Sequence, residues 1–331
     1  MGRMGRGAVA VAGLLTLGLA IVLHAHAQTP PHGFQIVAKS IPLDPARPSE
    51  RRIGELTYAG GLVLRAKGTS AFGGLSGIDV ADDGTFITQS DAGDLFRGRI
   101  LLDQRGRLAG LANMTGARLA DERGLDQGGK SDADSEDITF LPGGGFAVSY
   151  EQEHRVLAYT GSGPARRLGI PDVEFPRRNE GLEALTVWRD PATGEDRLVE
   201  GAEDGRAWIC DLEGHDCRQF LDPARDTPEA NFMLTGLDAL PDGRGMIAVY
   251  RAFDLLRGMR AIIAWVQPGA PKQVTPLARL AAPLNVDNFE GIAAVKNAEG
   301  SVRLYIVSDD NFSSLQRTLM LAFDWTPPAP G

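Results

Sequence analysis

The sequence predicts an all-β chain folded as a single β-propeller of small antiparallel sheets, with five blades countable and a sixth left open. Three observations carry this expectation. One short pattern recurs five times, each copy is followed by a turn and a β-rich run, and helical 3.6-residue periodicity is almost absent beyond the N-terminal apolar stretch.

The first unit leads from Ser76-Gly77-Ile78 through the turn Asp82-Asp83-Gly84 to β-rich residues 85–88 and 99–102. The second leads from Glu136-Asp137-Ile138 through 142–145 to 146–148 and 155–159, and the third from Glu180-Gly181-Leu182 through 191–194 to 197–199 and 207–210. The fourth leads from Thr235-Gly236-Leu237 through Pro241-Asp242-Gly243 to 246–249 and 261–265. The fifth leads from Glu290-Gly291-Ile292 through 297–300 to 304–307 and 318–323. Apolar, β-branched runs separated by Gly, Pro, Asp and Asn turns read as strand, turn, strand. Residues 54–64, with Leu56, Tyr58, Leu62 and Val63, suit an outer strand that closes the ring against the last blade, or part of a sixth blade. Residues 124–135 are polar and read as a long surface loop, and 326–331 as a Pro-rich, frayed tail.

Ahead of the propeller (54–325) stand an N-terminal extension (28–53) and a secretory signal peptide (1–27). Arg3 and Arg6 precede an uncharged run from Gly7 to Leu23, and Ala25-His26-Ala27 supplies the small residues of a cleavage site. The run falls short of the roughly 20 apolar residues that span a bilayer, so no stable membrane span is expected after cleavage. A periplasmic or secreted protein follows. The 331 residues carry a formal charge of −9, and loss of Arg3 and Arg6 leaves 32 basic against 43 acidic residues, or −11. That excess argues against nucleic acid, whose phosphates demand a basic face.

Export into an oxidising compartment favours a disulfide between Cys210 and Cys217, which flank a Gly-bearing turn and would close a hairpin. Such a loop constrains the unfolded chain by about 2–3 kcal/mol. A metal site there is the weaker reading, since Cys210, Cys217 and His215 lack a fourth soft ligand.

Antiparallel geometry converts the repeat into a candidate site, because the start of a first strand and the end of the second share one sheet edge. The starts carry Ser76, Glu136, Glu180, Thr235 and Glu290; the ends carry Asp91, Glu151, Glu203, Arg251 and Asp309 with their neighbours. One channel mouth would gather at least three glutamates. Carboxylates so close repel unless a cation is present, and oxygen-only ligands suit Ca²⁺. Alternatively, Glu136, Glu180 and Glu290 accept backbone N–H bonds from adjacent blades and brace the ring. Arg97, Arg99, Arg155, Arg206, Arg257, Arg260 and Arg317 recur beyond the acidic edge, as blade-to-blade ion pairs or as an anion-binding rim. His154 lies at the same edge and is a candidate general acid or base, or a satisfied surface histidine. A G-x-S-x-G elbow, a P-loop and a dinucleotide fingerprint are absent.

With these motifs in hand, the chain resembles the phytase-like, or esterase-like activity of phytase, family of exported bacterial proteins. The resemblance rests on Gly74-Leu75-Ser76-Gly77-Ile78, Asp134-Ser135-Glu136-Asp137-Ile138, Asn179-Glu180-Gly181-Leu182-Glu183-Ala184-Leu185 and Asn288-Phe289-Glu290-Gly291-Ile292. Most specific is Ser308-Asp309-Asp310-Asn311-Phe312 with Gln316-Arg317-Thr318. It implies a propeller that hydrolyses an ester or phosphoester. With only five lysines, an anionic substrate would meet arginine. The leading expectation is a metal-dependent hydrolase: Ca²⁺ held by Glu136, Glu180, Glu290 and Asp309, catalysis through Glu180 and His154, and Arg155 and Arg317 orienting the anion of a small-molecule substrate. A non-catalytic binding or envelope-assembly propeller and a sugar lactonase are the alternatives.

Overall fold

Each short sheet has two apolar faces and cannot bury them alone, so the sheets stack around an axis. The computed structural model describes residues 31–128, 130–161, 163–175, 181–271, 273–297 and 300–329. The expected signal peptide and its cleavage site lie outside these residues, as does Glu180.

Five antiparallel sheets form a five-bladed propeller. From the axis outward, blade 1 is Leu75–Val80, Thr85–Ser90, Asp94–Leu102 and Leu108–Arg118. Blade 2 is Ser135–Phe140, Phe146–Tyr150, Arg155–Tyr159 and Arg166–Leu168. Blade 3 is Leu182–Arg189, Asp196–Ala202, Ala207–Cys210 and Arg218–Leu221. Blade 4 is Met233–Ala239, Met246–Asp254, Gly258–Val266 and Val274–Ala281. Blade 5 is Asn288–Lys296, Val302–Asp309, Leu319–Trp325 and, from the other end of the chain, Leu56–Lys67.

That last strand closes the ring, pairing Val63 with Leu319 and Leu62 with Met320, so the segment completes blade 5 and no sixth blade forms. Further N-terminal chain is woven in as well. Gln35–Ser40 pairs with Leu56–Lys67, and His32–Gly33 adds to the outer edge of blade 1. Phe34 between them packs its ring 5.7 Å from Phe72 and 5.8 Å from Phe96. The loop before blade 2 carries a short helix, Lys130–Ala133, and in the tail Pro328 accepts a hydrogen bond from Arg244. Among the described residues no helix is long and apolar enough to cross a membrane.

The core lies between blades. Ile247, Val249 and Ile263 of blade 4 pack with Leu304, Ile306 and Phe323 of blade 5, all fully buried. Convergence at the axis demands small residues: a Cβ on Gly291 would fall 2.8 Å from the Cα of Gly77. Cys210 and Cys217 form a disulfide across the turn between the third and fourth strands of blade 3. With both sulfurs in that bond, neither is a thiolate ligand, and the metal alternative falls.

Three aspartates, Asp137 and Asp238 buried and Asp79 partly so, brace neighbouring blades. Asp79 accepts the N–H of Phe140 at 2.7 Å, Asp137 that of Leu185 at 2.8 Å, and Asp238 that of Ala294 at 2.7 Å. Asp238 also accepts the Thr186 hydroxyl at 2.7 Å. Backbone bracing between neighbouring blades is thus carried by these aspartates, while Glu180 lies outside the described residues.

Candidate functional site

Every blade carries a β-bulge at the same place in its first strand. Leu75 pairs with Ser90 and Gly77 with Gln89, leaving Ser76 as the extra residue. The same shift isolates Glu183 between Leu182 and Ala184, Thr235 between Leu234 and Gly236, and Glu290 between Phe289 and Gly291. In blade 2 Glu136 and Asp137 together oppose Ser149. Such a bulge twists the strand and re-aims the extra side chain, here at the same end of all five first strands.

This register corrects the third repeat: the counterpart of Glu136 and Glu290 is Glu183, in Glu183-Ala184-Leu185, and not Glu180. Two Glu-small-Leu triplets stand three residues apart in this blade, and only strand pairing separates them. A second set comes from the residues after Ser90, Tyr150, Ala202, Tyr250 and Ser308: Asp91, Glu151, Glu203, Arg251 and Asp309. Four blades place an acid there and blade 4 places an arginine.

The resulting mouth has two poles. At the first, carboxylate oxygens of Asp134, Glu136 and Glu151 all lie within 4.8 Å of one another. Glu183 hydrogen-bonds Glu151, which also accepts the N–H of Gly181 at 3.3 Å. Burial, then repulsion from Asp134, Glu151 and Glu290, pushes the Glu136 carboxyl well above its ordinary range. Burial and the charges of Glu136 and Glu151 do the same to Glu183. Burial lifts Glu151 to about 7, against the opposing hydrogen bonds of Glu183 and Gly181.

The second pole carries its own counter-charge. Asn288 Nδ2 donates to Glu290 Oε1 at 2.7 Å and to Asp309 Oδ2 at 3.4 Å, while Arg251 Nη1 donates to Asn288 Oδ1 at 2.7 Å. The Arg251 guanidinium is 3.4 Å from Glu290. Burial nevertheless holds Glu290 at about 7, opposed by Arg251, and Asp309 at about 6.

Of the residues expected from sequence, Glu136, Glu290 and Asp309 thus converge at the mouth. His154 lies at its rim, with its ring 4.4 Å from Phe175 and its Nδ1 beside Gly181, without a hydrogen-bond partner among the described residues. Burial lowers its pKa, favouring the neutral imidazole. Arg155 stands elsewhere. Its guanidinium lies 4.5 Å from the Tyr150 ring and bonds Glu153, Gln127 and the carbonyl of Asp132, in a groove of about 520 Å³ that Asp121 and Asp126 also line. Arg317 spends its donors on Asp287, Asn285 and the carbonyl of Val286, each at 3.0 Å, and so fixes the loop that enters blade 5. The arginine at the mouth is Arg251. Sequence reasoning assigned that role to Arg155 and Arg317; the alignment of the five second-strand ends, where Arg251 stands among four acids, is the signal that could have found it. Several rim arginines pair within their own turns, as Arg206 does with Asp204 and Arg257 with Asp254, and Arg97 lies over the Phe146 ring of blade 2.

Comparison with known proteins supplies a family and distant structural likenesses. No curated protein matches the chain. Virginiamycin B lyase from Staphylococcus aureus aligns at 11% identity with a TM-score of 0.40, covering 89% of this chain and 90% of the lyase. A luciferin-regenerating enzyme aligns at 11% identity and a TM-score of 0.40, over 78% of this chain and 94% of that one. Scores of this size say nothing about chemistry. The family model described as phytase-like, esterase-like activity of phytase, matches residues 70–312, and the chain belongs to that family.

Proposed function

We propose that the protein is an exported hydrolase that cleaves an ester or phosphoester at the acidic mouth with the help of Ca²⁺. One observation carries this reading: five equivalent bulges present Glu136, Glu183 and Glu290 to one mouth, while Asp79, Asp137 and Asp238 already brace the blades. The glutamates take no part in that backbone bracing and are held instead by one another, Asn288 and Arg251. The donor set fits a hard cation. Asp134, Glu136 and Glu151 offer only oxygen, and their 4.8 Å span suits ligands that each sit 2.3–2.6 Å from calcium. A bound Ca²⁺ supplies Lewis-acid polarisation of the ester or phosphoryl oxygen.

The chain's own groups account for the rest. Glu183, hydrogen-bonded to Glu151, is the proton acceptor for attacking water, since a cation among its acidic neighbours offsets the repulsion that favours its protonated form. Arg251 orients the negative oxygen, through a planar fork that matches carboxylate and phosphate. His154, packed on Phe175 behind Gly181, is a positioning residue for the backbone N–H that holds Glu151. Family membership supports ester chemistry, and the disulfide is compatible with an oxidising compartment.

Assays of p-nitrophenyl acetate and p-nitrophenyl phosphate, with calcium and with chelator, test the reading. Turnover lost on chelation and reduced at least 100-fold in Glu183→Gln is expected. Calcium binding without turnover of either ester would overturn the enzyme assignment in favour of a binding propeller.

A further inference from the structure

Blade 4 differs from the others on the face that carries the acidic mouth. In blades 1, 2, 3 and 5 the second strand ends at or within one residue of the mouth, at Ser90, Tyr150, Ala202 and Asp309. In blade 4 it continues to Asp254 and returns from Gly258, with Arg251 opposite Ala261 and Phe253 opposite Met259. Four further residues lift this hairpin by about 13 Å. Beside the Asp254–Arg257 ion pair, its apex bares apolar side chains: Leu255 is 92% exposed, Leu256 97% and Phe253 57%.

The hairpin is continuous with the site. Side chains two apart in a strand share a face, as do cross-strand partners, so Arg251, Phe253, Met259 and Met233, which pairs with Arg251, lie on one side. That side looks towards blade 5, because Arg251 bonds Asn288 there. Phe253 and Met233, 38% exposed, therefore make an apolar shelf that begins at the mouth's arginine and runs away from it. Contiguous exposed apolar surface of this kind marks a binding surface.

We infer that the substrate is an amphiphile: an ester or phosphoester whose polar head sits at Arg251 in the mouth and whose alkyl or aryl body lies along the blade-4 shelf. This rests on the proposed site, and it separates the substrate class from uniformly charged polyphosphates, for which an apolar shelf offers nothing.

Calorimetric titration of the full chain, in calcium, with ethylphosphonate and hexylphosphonate tests it without requiring turnover. Each methylene on a half-covered shelf is worth about a twofold gain in affinity, so the hexyl compound is expected to bind at least tenfold more tightly. In the exposed double variant Phe253→Ser/Leu256→Ser the ratio is expected to fall below threefold. Equal affinities for the two compounds, or no binding of either, would overturn the inference. So would an unchanged ratio in the variant. If that happens, co-sedimentation with phosphatidylcholine vesicles lost in the variant makes the tip a membrane contact, and a concentration-dependent dimer lost in the variant makes it a self-contact. A retained alkyl preference with no ester turnover would instead sink the hydrolase and leave the shelf as a ligand site.

Discussion

Two sets of carboxylates sit on the first strands and are put to opposite uses. Asp79, Asp137 and Asp238 each accept a backbone N–H from the next blade. No backbone N–H among the described residues donates to Glu136, and the main influences on Glu136 and Glu183, burial and neighbouring acids, all push their pKa values upward. Burial also raises Asp137, but the N–H groups of Leu185 and Ile138 work against it. Carboxylates given donors are cement. Those given mainly one another are pushed towards the protonated form, and the proposed cation would offset that repulsion.

Breaking the cement produces the largest effect. Asp238→Ala leaves the Ala294 N–H and the Thr186 hydroxyl unpaired, and a loss of about 3–4 kcal/mol in urea unfolding is expected. Reducing the Cys210–Cys217 disulfide, or replacing both cysteines with serine, is expected to cost about 2–3 kcal/mol in the same measurement. Glu136→Gln should have the opposite sign. With chelator at pH 7.5 it relieves repulsion and raises stability by about 1 kcal/mol, whereas the gain on adding calcium disappears.

The pH dependence of the melt separates the two sets further. Glu151 and Glu290 stay protonated in the fold up to about 7, whereas an unfolded glutamate releases its proton near its ordinary value of 4.5. Between those values the folded chain binds more protons, so stability of the chelated protein falls as pH rises from about 4.5 to 7. Under the proposed binding calcium would replace the protons, and the rise in Tm on adding it is expected to grow over the same interval. A chelated protein whose Tm rises across that interval would break the comparison.

Much of the fold was legible because turn chemistry and β-rich runs repeat at blade spacing, and because residues 54–64 had the apolar pattern of a closing strand. The site was legible only in part. Glu136 and Glu290 stand at unambiguous triplets, but blade 3 offers Glu180 and Glu183, and pairing of Leu182 with Ala202 decides between them. Asp137 adjoins Glu136 in sequence yet braces blade 3 through the N–H of Leu185, a difference set by the bulge at these two residues and by the strand beside it. Arg155 and Arg317 carried the right charge in the right part of the repeat. Their orientation depends on which loop passes beside them, and that is written in neither residue's own surroundings.

Calcium binding is tested most directly by calorimetric titration of the protein with calcium at pH 7.5 and 5.5, beside Glu136→Gln. One calcium per chain is expected at pH 7.5, with proton release and at least tenfold weaker binding at pH 5.5 and in the variant. No heat of binding at either pH, with a melt indifferent to chelator, would contradict it.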